Sequence, residues 1–119
     1  MVRAVRGAIR PKGNTTEGIR SAAVRLVTAL LAENGIGEEG IISLIFSLTE
    51  DLSAANPAAG LRTIGFSDVP LFCLQEAAVE GSMKGVIRVL LTYESPDGRA
   101  PVPVYLDGAE ALRPDLSRI

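Results

Sequence analysis

Between Val2 and Ile9 the chain reads VRAVRGAI, apolar positions interrupted by Arg3 and Arg6, and then breaks at Pro11-Lys12-Gly13-Asn14. That pattern predicts a strand. Thr15 or Thr16 can cap a helix, and Ile19, Ala22, Ala23, Leu26 and Leu30 then fall on one face while Glu17, Arg20 and Arg25 fall outside it. The spacing predicts a long amphipathic helix to about Asn34, stopped by Asn34-Gly35. IISLIFSLT at 41–49 reads as a buried strand. Asn56 followed by Pro57 is an N-cap with proline at the first helical position, opening a short helix through Leu61 and Arg62 to Gly65. Strands are predicted at 69–74 (VPLFCL), 86–94 and 102–106 (VPVYL), with Pro96-Asp97-Gly98 as a turn between the last two. LRPDLS at 112–117 is too short and too proline-bound for a helix of its own. The order β-α-β-α-β-β-β indicates one α/β or α+β sheet with its helices on one side. There is no repeat, linker or low-complexity stretch.

Composition narrows this picture. A chain of 119 residues is expected to form one domain, 1–119. It is 47% hydrophobic with a mean hydropathy of +0.27, high for so small a protein, which suggests apolar surface buried between subunits. A net charge of −2 argues against nucleic acid as a partner. No apolar run approaches the ~20 residues of a membrane span. The N-terminus carries Arg3, Arg6 and Arg10 in place of a signal-peptide core, so a cytoplasmic location is expected. One cysteine suits a reducing compartment. The absence of histidine excludes His-based triads, most zinc sites and the usual proton shuttle near neutral pH. Ten of the twelve basic residues are arginine, a bias that suits planar recognition of carboxylates.

The candidate chemistry follows from charges set among apolar neighbours. Arg88 stands inside VIRVLLTY at 86–93, and LFCLQE at 71–76 carries Cys73 and ends in Glu76. A guanidinium taken out of water costs several kcal/mol, roughly, without an anionic partner, and the partner expected here is a bound anion. Read from the residues alone, each feature also has a plainer explanation. Arg88 and Arg6 would be edge or interface ion-pair residues, Cys73 a small core residue, Glu76 a solvated strand end and Tyr105 interface packing. Arg3 reads as structural, and Arg113 with Asp115 as a local ion pair or subunit contact.

MVRAVRGA at the start, SLTEDL…NPA at 47–58, CLQE at 73–76, IRVLLT at 87–92 and VYL…LRPDLS at 104–117 resemble, in order and spacing, the trimeric α/β class of chorismate mutase. The resemblance covers nearly the whole chain. It implies an α+β fold, a mixed sheet with helices packed on one face, assembled as a pseudo-barrel homotrimer with active sites between subunits. It also implies rearrangement of chorismate to prephenate, the branch step toward phenylalanine and tyrosine, with no cofactor and no metal. The reaction is a pericyclic shift that needs neither acid, base nor nucleophile; fixed charges and a compact substrate conformer are sufficient. The resemblance assigns Arg88 to the ether oxygen and a carboxylate, and Arg6 to carboxylate binding. It places Glu76 and Cys73 at the ring hydroxyl, Tyr105 at a side-chain carboxylate, Arg62 at the cleft mouth and Leu112 on an apolar wall beside a mobile tail at 112–119.

Two departures stand out. Asn56 occupies a position where the family commonly has an aromatic residue, and Phe72 one where a smaller residue is frequent. Strict alternation also puts Cys73 and Glu76 on opposite faces unless the strand ends or bulges near Leu74–Gln75. The alternatives are a trimeric imine deaminase-like enzyme and a non-catalytic carboxylate-binding regulatory protein.

Overall fold

The computed structural model describes residues 1–115. Its elements, in chain order, are β1 (Val2–Ile9), α1 (Thr16–Asn34), β2 (Ile41–Leu48), α2 (Pro57–Arg62), β3 (Leu71–Gln75), β4 (Ile87–Glu94) and β5 (Val104–Leu106). Short 3-10 turns at Glu38–Gly40 and Ala109–Leu112 precede β2 and follow β5. The strands form one mixed sheet in the order β3-β2-β4-β1-β5, with β4 antiparallel to both β1 and β2 and the two edge strands parallel to their neighbours. The α+β class expected from the sequence is the one observed.

Local chemistry sets the helix ends. Thr15 is extended (φ −131°, ψ 155°) and its hydroxyl accepts the Gly18 N–H at 3.0 Å, satisfying one of the free amides of the first turn. Gly35 closes α1 with φ 63°, a left-handed conformation that glycine adopts without a Cβ penalty. The apolar stripe of α1 lies on the sheet: Ile19, Leu26, Val27 and Leu30 are fully buried with Ile9, Leu44, Phe46, Ile87 and Leu91. Gly7 on β1 permits this close approach, because a Cβ there would lie 3.0 Å from both Leu30 Cδ1 and the Val104 carbonyl. α2 packs across α1 at Gly60, where a Cβ would come within 3.1 Å of Arg20. Both helices share one side of the sheet; on the other, the Ala109–Leu112 turn covers Ala8 and Val86 and leaves the rest of that face bare.

The sequence placed the elements correctly in kind, with small differences at their ends. β3 begins after Pro70, whose carbonyl already accepts the Leu44 N–H, so Val69 and Pro70 precede the strand. α2 ends at Arg62, short of Gly65. Pro101 and Pro103 lack N–H donors, and β5 starts only at Val104. Val102 pairs with a side chain instead: the buried Asn34 amide accepts its N–H at 2.7 Å and donates to its carbonyl at 3.0 Å. The Ala109–Leu112 turn, entered through Gly108 at φ 98°, was not foreseen. Of the tail expected to be mobile at 112–119, residues 116–119 lie outside the described residues.

Candidate active site

Pairing register places side chains in rows across the bare face of the sheet. One row runs Phe72, Ile45, Leu90, Arg6; the next runs Leu74, Ser47, Arg88, Ala8, Tyr105. Side chains directly opposite each other share a face, so Arg6 and Arg88 project to the same side from adjacent strands. Between them lies a half-open cleft of about 240 Å³, with Ser47, Tyr105, Leu112 and Arg113 also on its walls. The tail residues reach it because the Ala109–Leu112 turn packs on Ala8 and Val86, with Met83, Tyr105 and Leu112 around them.

Arg88 is held by Glu76. Its Nε lies 2.8 Å from Glu76 Oε2, and Ser47 Oγ donates to that same oxygen at 2.9 Å. Glu76 reaches this position because β3 ends at Gln75 and the Glu76 N–H bonds the Leu48 carbonyl at 2.9 Å. The guanidinium is therefore partnered from within the chain and not only by an expected external anion. Its Nε–H is buried yet not aligned for a hydrogen bond, so the contact with Glu76 is one of charge. The side chain is 42% exposed, so Arg88 is less buried than its apolar neighbours suggest.

The start of β4, which carries Arg88, is pinned to the end of β2. Thr49 Oγ1 accepts the Val86 N–H at 3.1 Å, and Asp51 Oδ1 accepts the Gly85 N–H at 3.2 Å. The Thr49 hydroxyl, above all, and then the Gly85 amide hold the Asp51 carboxyl below the usual carboxylate range. At the other wall Arg113 binds Asp115 through two contacts, at 3.1 and 2.9 Å. That bond raises the Arg113 guanidinium and lowers the Asp115 carboxyl, with a smaller effect from Arg6 on Asp115.

The remaining residues singled out in the sequence are not brought to this cleft. Cys73 pairs in register with Phe46 and packs against the helix-side core, so its thiol and the Glu76 carboxylate are on opposite sides, as alternation requires. Burial pushes the thiol pKa up. Its main chain has a different outlook. Pro70 and Glu76 direct their backbone groups to β2, and in a parallel ladder the residues of opposite parity, Cys73 among them, direct theirs to the open edge. Phe72 is on the cleft face and 63% exposed, but three strand spacings, about 14 Å, separate β3 from β1. The Asn56 side chain caps α2 by accepting the Ala58 N–H at 2.9 Å, and Arg62 is exposed in the last turn of that helix. Arg3 is on the helix side, donating to the Gly98 carbonyl at 2.5 Å.

Two cleft residues carried no role in the sequence reading. Ser47 stood inside a motif that bore the resemblance, and only the register shows that it faces Arg88. Arg113 was read as a local pair with Asp115; the pair exists, and it also borders the cleft.

Comparison with known proteins adds to this geometry. Residues 2–116 match the family model described as chorismate mutase type I. The chorismate mutase AroH of Thermus thermophilus is 44% identical over 119 residues, spanning 98% of this chain and 97% of its own. The chorismate mutase AroH of Bacillus subtilis (strain 168) is 35% identical over 119 residues, spanning 98% and 94%. A solved chorismate mutase from Clostridium thermocellum superposes with a TM-score of 0.86 at 36% identity, covering 92% of this chain and 98% of that one.

Proposed function

The chain belongs to the type I chorismate mutase family and is an isomerase of that activity, and we propose that it works through the Arg6–Arg88 cleft, completed by a neighbouring copy of itself. The observation that carries this reading is the convergence of Arg6, Arg88 and Arg113 on one cleft, with Glu76 against the central guanidinium. The cleft, at about 240 Å³, is just below the usual ~300–1,000 Å³ of ligand pockets and suits a compact substrate. Chorismate carries two carboxylates, and arginine forks match them. As its ether bond breaks, negative charge collects on the oxygen; the terminal nitrogens of Arg88 are placed to meet it, while Arg6 and Tyr105 hold carboxylate. Stabilisation already in place before the charge develops costs no reorganisation during the reaction. Glu76 offers negative charge to the ring and an acceptor to its hydroxyl. The deaminase-like and non-catalytic alternatives are not favoured by relatives of the mutase name, matched over 97% and 94% of their own length.

The second copy answers the residues left outside the cleft. Cys73, Phe72, Asn56 and Arg62 gather near the β3 edge, and the arginine cleft lies toward the opposite edge. A head-to-tail contact that repeats and closes brings the β3 side of one protomer to the β1–β5 side of the next, and a closed ring of three is the assembly we propose. Phe72, Leu74, Ile45 and Leu90 are exposed apolar residues on the bare face that such a ring would cover. Cys73 would then meet the substrate through its main chain.

Loss of chorismate absorbance on adding the purified protein tests the activity. Mixing tests the shared site: Arg88→Ala and Arg62→Ala variants, each weak alone, should regain activity when their subunits are exchanged. No gain above the sum of the two would place the whole site within one protomer.

A further inference from the structure

We propose that Ser47 is a positioning residue for the rearrangement, acting through Glu76. The inference rests on the cleft assignment above and extends it to a residue with no assigned part. Glu76 is the only carboxylate that contacts Arg88 among the described residues, and its orientation decides what Arg88 can offer a ligand. Two groups meet it, and both meet the same oxygen, Oε2. The Arg88 contact is close at 2.8 Å, but the Nε–H does not point along it. A contact of charge without alignment attracts the carboxylate and leaves its rotation loosely defined. The Ser47 hydroxyl, at 2.9 Å, supplies the directional bond.

The placement of Ser47 makes this a property of the sheet. It lies on β2, between β3 and β4, directly opposite both Arg88 and Leu74 in register. Its strand is held by ladders on both flanks, its own backbone groups toward Arg88 on β4 and those of its neighbours toward β3, so its hydroxyl is a rigidly mounted donor. Alanine at 47 would keep the strand and remove only that donor. Glu76, joined to the sheet beyond β3 by its single N–H bond to Leu48, would then be free to turn about its side-chain torsions. The two oxygens also acquire separate duties. With Oε2 engaged by Ser47 and Arg88, Oε1 has no hydrogen-bond partner among the described residues and remains to accept from a ring hydroxyl.

Steady-state kinetics on single and double variants of the full chain test this. Ser47→Ala should lower kcat roughly tenfold with KM changed less than threefold, the scale of one bond to a charged group lost from positioning. Ser47→Thr, which keeps a hydroxyl on a strand, should recover most of the loss. In a Glu76→Ala background, Ser47→Ala should add less than a twofold further loss, because residues acting through one another are not additive. The idea fails if Ser47→Ala turns over within twofold of the wild type. It also fails if the loss is the same with and without Glu76, or if the thermal midpoint falls alike in Ser47→Ala and Ser47→Thr while turnover per folded molecule is unchanged. Should Glu76→Ala itself turn over normally, the cleft assignment of Glu76 fails together with the role of Ser47. A Glu76→Ala defect beside an active Ser47→Ala enzyme would remove Ser47 alone.

Discussion

Arg88 is the residue to which the proposed mechanism gives the developing charge, and its environment says how a substitution will read out. Nε is engaged by Glu76, so the terminal nitrogens are the ones offered to a ligand. Arg88→Ala should lower kcat at least ~10²-fold, the usual consequence of losing one donor aimed at developing charge. Arg88→Lys should recover little of it, because one ammonium cannot both pair with Glu76 and present a planar fork. Initial rates of chorismate loss measure both. Cys73 is expected to behave in the opposite way. Its thiol packs with the helix-side core, and burial pushes its pKa up. Cys73→Ser should stay within threefold of wild-type kcat, and the native thiol should be alkylated slowly at neutral pH. At this scale the sequence was legible where an element's own pattern fixed orientation, as for Arg6 and Arg88. It was silent where orientation came from a neighbour: nothing local to β2 says that Ser47 faces an arginine forty-one residues away.

The elements were legible because their signals are local. The Thr15 cap, the Gly35 stop and the Asn56-Pro57 start each act within one helical turn and are all found in the structure. The ends that moved did so through non-local partners. β5 is shortened because Asn34, at the far end of α1, takes the pairing that Val102 would otherwise give to a strand. That same bond makes Asn34 a link between the helix C-terminus and the approach to Tyr105. Asn34→Ala leaves the Val102 N–H and carbonyl unpaired and should cost about 2–3 kcal/mol in denaturant unfolding. It should also raise KM for chorismate, as Tyr105 loses its fixed approach. The Ala109–Leu112 turn escaped the sequence reading because its N-cap, Gly108, has no side chain to announce it; packing on Ala8 and Val86 holds the turn, and the Glu110 carboxylate accepts the Gly108 N–H at 2.7 Å.

At the scale of the molecule, pH dependence separates folding from turnover. Asp51, Asp107 and Asp115 are held below the ordinary carboxylate pKa of ~3.9 by Thr49, Arg25 and Arg113 respectively. A carboxyl depressed in the folded state adds stability that is complete above the unfolded value and disappears as pH falls through the folded one. The raised thiol of Cys73 has the reverse effect: its contribution is present below its unfolded value, ~8.5, and is lost as pH rises past it. Thermal midpoints should therefore form a plateau between about pH 5 and 8, with small declines outside it, since all three carboxyls are open to water. With no histidine in the chain and no proton transferred in the reaction, kcat should be nearly level from pH 6 to 9, roughly. A bell centred near neutrality would argue for another chemistry.

The sheet has α1 and α2 on one side and the arginine cleft on the other, and this sets how the protein can change over time. Behind the sheet, the buried stripe of α1 answers to packing alone, so side chains that keep its volume and shape serve. In front of it, Arg6, Ser47 and Arg88 would, in the proposed assembly, have to satisfy a ligand and a neighbouring copy together. Drift should accumulate where neither constraint acts, so relatives aligned by position would differ most freely on the outward face of α1, at Glu17, Arg20 and Glu33, and least along its buried stripe.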